Sequence, residues 1–279
     1  MIITTESIAD YHANNCVSHT MLKDFATLGP AGYYHRHVRK DPEAQRPTTD
    51  ALTQGQRFEA YLDGELDLVV APEELPDEKG KMLKWHGNRK VCKQWLLDHP
   101  DAVSAAEAAM YRRMRESVMA NATARDFLER AERQITFRES DVWDFDTQAR
   151  PDYVIRGDGF TGDVLVDLKT CENLDTFHRN VYRYGYRTQA GMACWHAYAN
   201  GYRAADGVSN PAFYLLAVEK LYPTRAVLYP LSERTVETGW QWCMGQLNAI
   251  NEHMEAGHWP STVSDVGDVI DAPMEDEAA

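Results

Sequence analysis

Three residues near the middle of the chain have types and spacing that could do chemistry together. Asp152 follows Pro151, and Asp167 and Lys169 close an apolar run, "VLVDLK", at 164–169. Between them "GDGFTG", 157–162, mixes glycines with polar residues, a composition suited to reversing the chain. Antiparallel pairing about that loop sets Val154 against Leu165, Arg156 against Asp163 and Asp152 against Asp167. Side chains alternate between the faces of a strand. Leu165, Asp167 and Lys169 then share one face with Asp152, while Val164, Val166 and Leu168 share the other. Directly opposed carboxylates repel. A divalent cation offsets that repulsion and prefers hard oxygen ligands. With an ammonium two residues along, the set has the parts for phosphodiester hydrolysis: charge neutralisation, an activated water and a cation to orient it. Two plainer readings stay open. Lys169 simply neutralises Asp167, or a one-residue slip in register sends Asp152 to the far face.

The elements that must position this set flank it. Candidate strands are "RQITFRE" (133–139), "QARPDYVIRG" (148–157), "GDVLVDLKT" (162–170), "AFYLLAVEK" (212–220) and "RAVLYPL" (225–231). Helices are expected over 50–63, 101–133, 174–199 and 232–256, with a shorter one after Ser18 that breaks at Gly29-Pro30. Helices, three strands, a helix, two strands and a helix predict one α/β domain over 1–260, with a mixed central β-sheet flanked by helices.

Composition limits the function classes. The 279 residues are 44% hydrophobic and 26% charged, as in a soluble globular protein. No apolar run approaches the roughly 20 residues of a membrane span, and the N-terminus does not read as a signal peptide. Five scattered cysteines without a CxxC pair suggest neither zinc nor disulfides, which fits a cytoplasmic protein. The net charge of −14 argues against indiscriminate nucleic-acid binding. Six of the acids lie in 261–279, which holds no Lys or Arg and reads as an acidic, disordered tail.

The arrangement resembles the PD-(D/E)xK nuclease superfamily, with Pro151-Asp152 as "PD" and Asp167-Leu168-Lys169 as "DLK". "YRYGYRTQAGMACWHAY" is similar to the glutamine-bearing helix of the RecE-like and lambda-exonuclease-like branch, with Gln189 at the glutamine. "GQRFEAYL" matches that branch's G-x-x-x-E/H pattern, with Glu59 at the acidic position, and the segment 18–38 resembles the opening of RecE-type domains. The resemblance implies a restriction-endonuclease-like fold and a Mg²⁺-dependent enzyme, with Mn²⁺ as a substitute. It implies a phage-type 5′→3′ exonuclease on linear double-stranded DNA ends, acting in recombination as a ring-shaped homo-oligomer with a single-strand annealing partner. Asp152 and Asp167 would ligate the metal, with the Leu168 carbonyl and Glu59 as further ligands. Lys169 would position the water, and Gln189 would orient the site or touch DNA. Departures exist. RecE-type members often carry His where Glu59 stands, and many place Tyr where Ala193 stands. An endonuclease of the same fold and a non-catalytic DNA-end-binding protein are the rival readings.

Basic residues suggest where DNA would run. Arg179, Arg183 and Arg187 recur every four residues, a phosphate-tracking stripe or a solvated helix face. Arg36 lies in "YYHRHVRK", suited to a frayed end or to a helix C-terminus. Lys84 and Arg89 lie in "KGKMLKWHGNRKVCK", the densest basic stretch.

Overall fold

The structure, a computed structural model, describes residues 2–47, 49–158 and 160–261; apart from Ser261, the expected acidic tail lies outside them. The N-terminal part holds β1 (Ile2–Thr5), α1 (Ile8–Ala13), β2 (Val17–Ser18), α2 (His19–Tyr33) and α3 (Asp50–Leu62). Next come β3 (Glu74–Pro76), β4 (Met82–Lys84), α4 (Lys90–Asp98), α5 (Ala105–Ala120) and α6 (Ala122–Arg130). Then follow β5 (Glu132–Arg133), β6 (Ile135–Glu139), β7 (Thr147–Ala149), β8 (Tyr153–Ile155) and β9 (Val164–Cys171). The chain continues through α7 (Phe177–Arg183), α8 (Tyr186–Ala199), β10 (Ala212–Glu219), β11 (Ala226–Pro230) and α9 (Glu233–Ala256).

A five-stranded sheet runs in the order β11-β10-β9-β8-β5. Strand β9 is parallel to β10 and antiparallel to β8, so the sheet is mixed, as the element order predicts. A second, four-stranded sheet, β1-β6-β7-β2, was not foreseen. The segment 148–157, expected as one strand, is divided between the two sheets: β7 pairs with β6 and β8 pairs with β9. Pro151 explains the division, because it has no N–H to donate to a ladder. Residues 150–152 therefore bridge the two sheets.

Both faces of the five-stranded sheet are covered, which is why β9 reads as a nearly continuous apolar run. Leu165 packs with Ala190, Met192 and Leu215 on the side of α8 and α9. Val166 packs with Phe58, Tyr111 and Met114 on the side of α3 and α5. Each such fully buried aliphatic side chain contributes about 1.5–3 kcal/mol. Helix α8 lies close on α9 through two glycines. A Cβ on Gly191 would run into the backbone nitrogen of Trp240, and one on Gly239 into the carbonyl of Arg187.

The helix expected over 174–199 is two helices. They meet at Tyr184-Gly185, where Gly185 takes φ 72°, a conformation that glycine adopts without steric cost.

Candidate active site

Strand β9 is the centre of its sheet, and Asp167 stands beside Leu215 of β10, only 1% exposed. A buried carboxylate needs partners. The Lys169 ammonium forms an ion pair with Oδ2, and Gln189 Nε2, reaching from α8, donates to Oδ1 at 2.6 Å.

Strands β8 and β9 pair in the register that the loop symmetry predicts, through Ile155 with Val164, Val154 with Leu165 and Tyr153 with Val166. The ladder stops one residue short of Asp152. There the Asp152 side chain takes over from the backbone: Oδ2 accepts from the Leu168 N–H at 2.6 Å. The acid is thus fixed against β9 beside Asp167. Glu59 approaches from α3, whose start is capped by the Thr49 hydroxyl accepting from the Leu52 N–H.

Burial and neighbouring acids raise the proton affinity of Asp152 and Glu59. Burial, then Asp167 and Glu59, push the Asp152 carboxyl well above the usual range. Burial, then Asp63 and Asp167, push Glu59 up to about 7. Burial opposes the charge on Lys169, but Asp167 and Asp152 outweigh it and hold its pKa above the usual value.

Among the described residues no group of three or more His, Cys, Asp or Glu forms a ready metal cage. The donor set nevertheless suits magnesium, which takes one or two carboxylates and keeps several waters. Asp167 Oδ2 is buried with no hydrogen-bond partner beyond its charge contact with Lys169. Asp152, held beside it through the Leu168 N–H, is a second carboxylate donor.

Asp167, Lys169 and Gln189 line a cleft of about 450 Å³; neither Asp152 nor Glu59 is on its surface. Four further basic residues of its wall were not anticipated: His19, Lys23, Arg46 and Arg150. Burial first, then Lys23 and Lys169, push His19 down to about 3. The Thr188 hydroxyl donates to the Gly185 carbonyl at 2.8 Å, so it accepts from neutral His19 Nε2 at 2.7 Å. Lys23 Nζ donates to the Tyr184 carbonyl at 2.9 Å. Helix α2 in this way braces the α7–α8 junction that presents Gln189. His19 and Lys23 are four apart on one helix, a spacing that was available as a signal. Arg46 gave none.

None of the six basic residues expected to hold DNA lines this cleft. Arg179 and Arg183 lie on α7, but Arg187 lies beyond Gly185 on α8, so the three share no single helix face. Arg183 sits 5.4 Å from the Tyr184 ring and Arg187 5.5 Å from that of Tyr182. Arg36 is held internally. It donates to the Ala44 carbonyl at 2.6 Å and pairs at 3.2 Å with Asp24, which is buried and also bonded to His37. Lys84 ends β4, and Arg89, just before α4, donates to the Lys84 carbonyl.

Residues 18–271 match the family described as "PDDEXK-like domain of unknown function (DUF3799)". A solved structure of a "Putative exonuclease" from Eubacterium rectale superposes with TM-score 0.64 at 14% identity, covering 99% of both chains. That likeness establishes a shared fold, which is restriction-endonuclease-like. The structure of SSO0001 covers 91% of this chain and 93% of its own at TM-score 0.33 and 10% identity, too distant to carry an argument. No curated protein matches.

Proposed function

The chain belongs to the PDDEXK-like domain family, and from that premise we propose that it is a metal-dependent deoxyribonuclease, an exonuclease on linear double-stranded DNA. The observation that carries this reading is the buried Asp167, ion-paired with Lys169 and bonded to Gln189 on the wall of a cleft, with Asp152 hydrogen-bonded to the intervening Leu168 N–H. The similarity to a structure described as a "Putative exonuclease" supports it further.

In this reading Asp152, Asp167, the Leu168 carbonyl and Glu59 hold a divalent cation, Mg²⁺ with Mn²⁺ able to replace it. When bound, that cation neutralises phosphate charge and activates water. The chain's own residues do the rest. Lys169 keeps its proton, so it holds an anionic oxygen or orients a water and is not a proton acceptor. Gln189 fixes Asp167 in one orientation. The buried apolar packing under β9 limits movement of both acids. We extend the proposal to 5′→3′ polarity, action in recombination, a ring-shaped homo-oligomer and a single-strand annealing partner.

The test is incubation with Mg²⁺ of linear duplex DNA and, separately, covalently closed circles. Loss of linear DNA alone, abolished by chelation and by Asp167→Asn, is the expected result. Nicking of circles would replace the exonuclease with an endonuclease of the same fold. DNA binding without any cleavage would leave an end-binding protein.

A further inference from the structure

We propose that Arg150 is a phosphate-binding residue of this site, gripping a backbone phosphate of the strand next to the bond being cut. The inference rests on the DNA-cleaving reading above and adds a contact that no motif assigns.

The backbone fixes where Arg150 stands. Ala149, buried, is the last residue of β7, paired with Phe137, and Pro151 is buried on the other side. A residue before proline is held to extended conformations. Arg150 is therefore set on the bridge between the two sheets, two residues from Asp152, and its side chain lines the cleft with Asp167, Lys169 and Gln189.

Its charge is unspent. Nη1 is buried and has no hydrogen-bond partner, and among the described residues no carboxylate lies within ion-pair range of the guanidinium. Of the acids around it, Asp167 is engaged with Lys169 and Gln189 and Asp152 with the Leu168 N–H, while Glu59 feels the charge of Arg150 without forming an ion pair with it. Its described neighbour is the Tyr11 ring, whose centroid is 5.8 Å from Cζ. Buried donors are almost always satisfied, and an exception calls for an explanation such as a ligand. A planar, permanently charged fork matches the oxygens of a phosphate bidentately, and phosphate is the anion that a DNA-cleaving site brings to this cleft.

The rival explanation is structural: Arg150 merely eases the crowding of negative charge around Glu59, on which it acts electrostatically. The test separates the two. Linear duplexes are prepared with one phosphate at a time replaced by an uncharged methylphosphonate, stepping away from the cut site. Single-turnover cleavage is then compared for wild type, Arg150→Met and Arg150→Lys.

The wild type is expected to lose about 10- to 100-fold at one particular phosphate, the scale of a lost charge-assisted contact. Arg150→Met should show that loss on unmodified DNA and no additional loss at that position. Arg150→Lys should recover part of it. The salt slope of binding should fall by about 1 in Arg150→Met, and its unfolding midpoint should hold or rise, since an unpaired donor is removed. Equal methylphosphonate losses in wild type and Arg150→Met, or a lowered midpoint with an unchanged salt slope, would overturn the proposal while leaving the nuclease reading in place. A wild type that neither binds nor cleaves DNA would overturn both.

Discussion

Gln189 Nε2 donates a 2.6 Å hydrogen bond to Asp167 Oδ1, tying helix α8 to the central strand at an acid that is almost wholly buried. The bond goes to a charged acceptor, and such bonds contribute about 1.5–3 kcal/mol. Gln189→Ala should lower kcat by about 10- to 100-fold, on the basis of about 1.4 kcal/mol per tenfold, with KM for DNA little changed. Steady-state kinetics on linear duplex DNA checks it; an unchanged kcat removes Gln189 from the site.

Asp167 and Lys169 form a buried ion pair, with side chains 1% and 19% exposed. Removing only the cation leaves Asp167 uncompensated, which typically costs about 3–5 kcal/mol. Lys169→Met should therefore lose both stability and activity, the latter by about 10²-fold or more. Adding Asp167→Asn to Lys169→Met should restore much of the stability and none of the activity. Denaturant unfolding of the two variants decides whether stability and chemistry separate in this way.

His196 sets an acid limit on stability. It is fully buried on α8, bonded to the Thr147 hydroxyl at 2.9 Å and the Met192 carbonyl at 2.8 Å. Burial is the main cause that pushes its pKa down from 6.5 to about 4. The unfolded chain therefore binds a proton that the folded one refuses. Its contribution is complete above about 6.5 and is lost as pH falls from there toward 4, at up to about 1.4 kcal/mol per pH unit. His196→Gln should flatten the fall in unfolding free energy between pH 6.5 and 4, measured by urea titration at each pH. An unaltered slope would mean that His196 is not the group responsible.

Gly191 allows α8 to touch α9. A methyl there would strike the backbone at Trp240, which cannot yield as a flexible side chain could. Gly191→Ala should destabilise by about 1–3 kcal/mol or more and, by shifting α8, reduce activity as well. Gly245→Ala, on α9 where among the described residues no atom beyond the helix's own backbone lies within 4 Å of the added carbon, is the control and should do neither.

The hairpin was readable because two strong local signals agree: a glycine-rich reversal and the apolar run of β9. The midpoint of the reversal set the register from Tyr153-Val166 to Ile155-Val164. The Asp152 contact with the Leu168 N–H was not readable, because it arises where the ladder ends and a side chain replaces a carbonyl. Gly185 was passed over inside a helical pattern, since a lone glycine only weakens helix propensity. In the fold it takes a left-handed conformation and splits the helix, so the arginine periodicity lost its meaning. His19, Lys23 and Arg150 reach this wall through contacts between residues more than a hundred positions apart, such as His19 with Thr188, which no local pattern encodes. The second sheet was missed for a related reason: β2 and β7 are only two and three residues long and take their stability from their neighbours.

The most direct measurement is anomalous diffraction from crystals grown with Mn²⁺ and a short linear duplex. The account predicts a manganese peak bound by both Asp152 and Asp167, with a phosphate oxygen completing its shell, and no peak in Asp167→Asn crystals. A protein that degrades the same DNA while manganese binds elsewhere, or not at all, would contradict it.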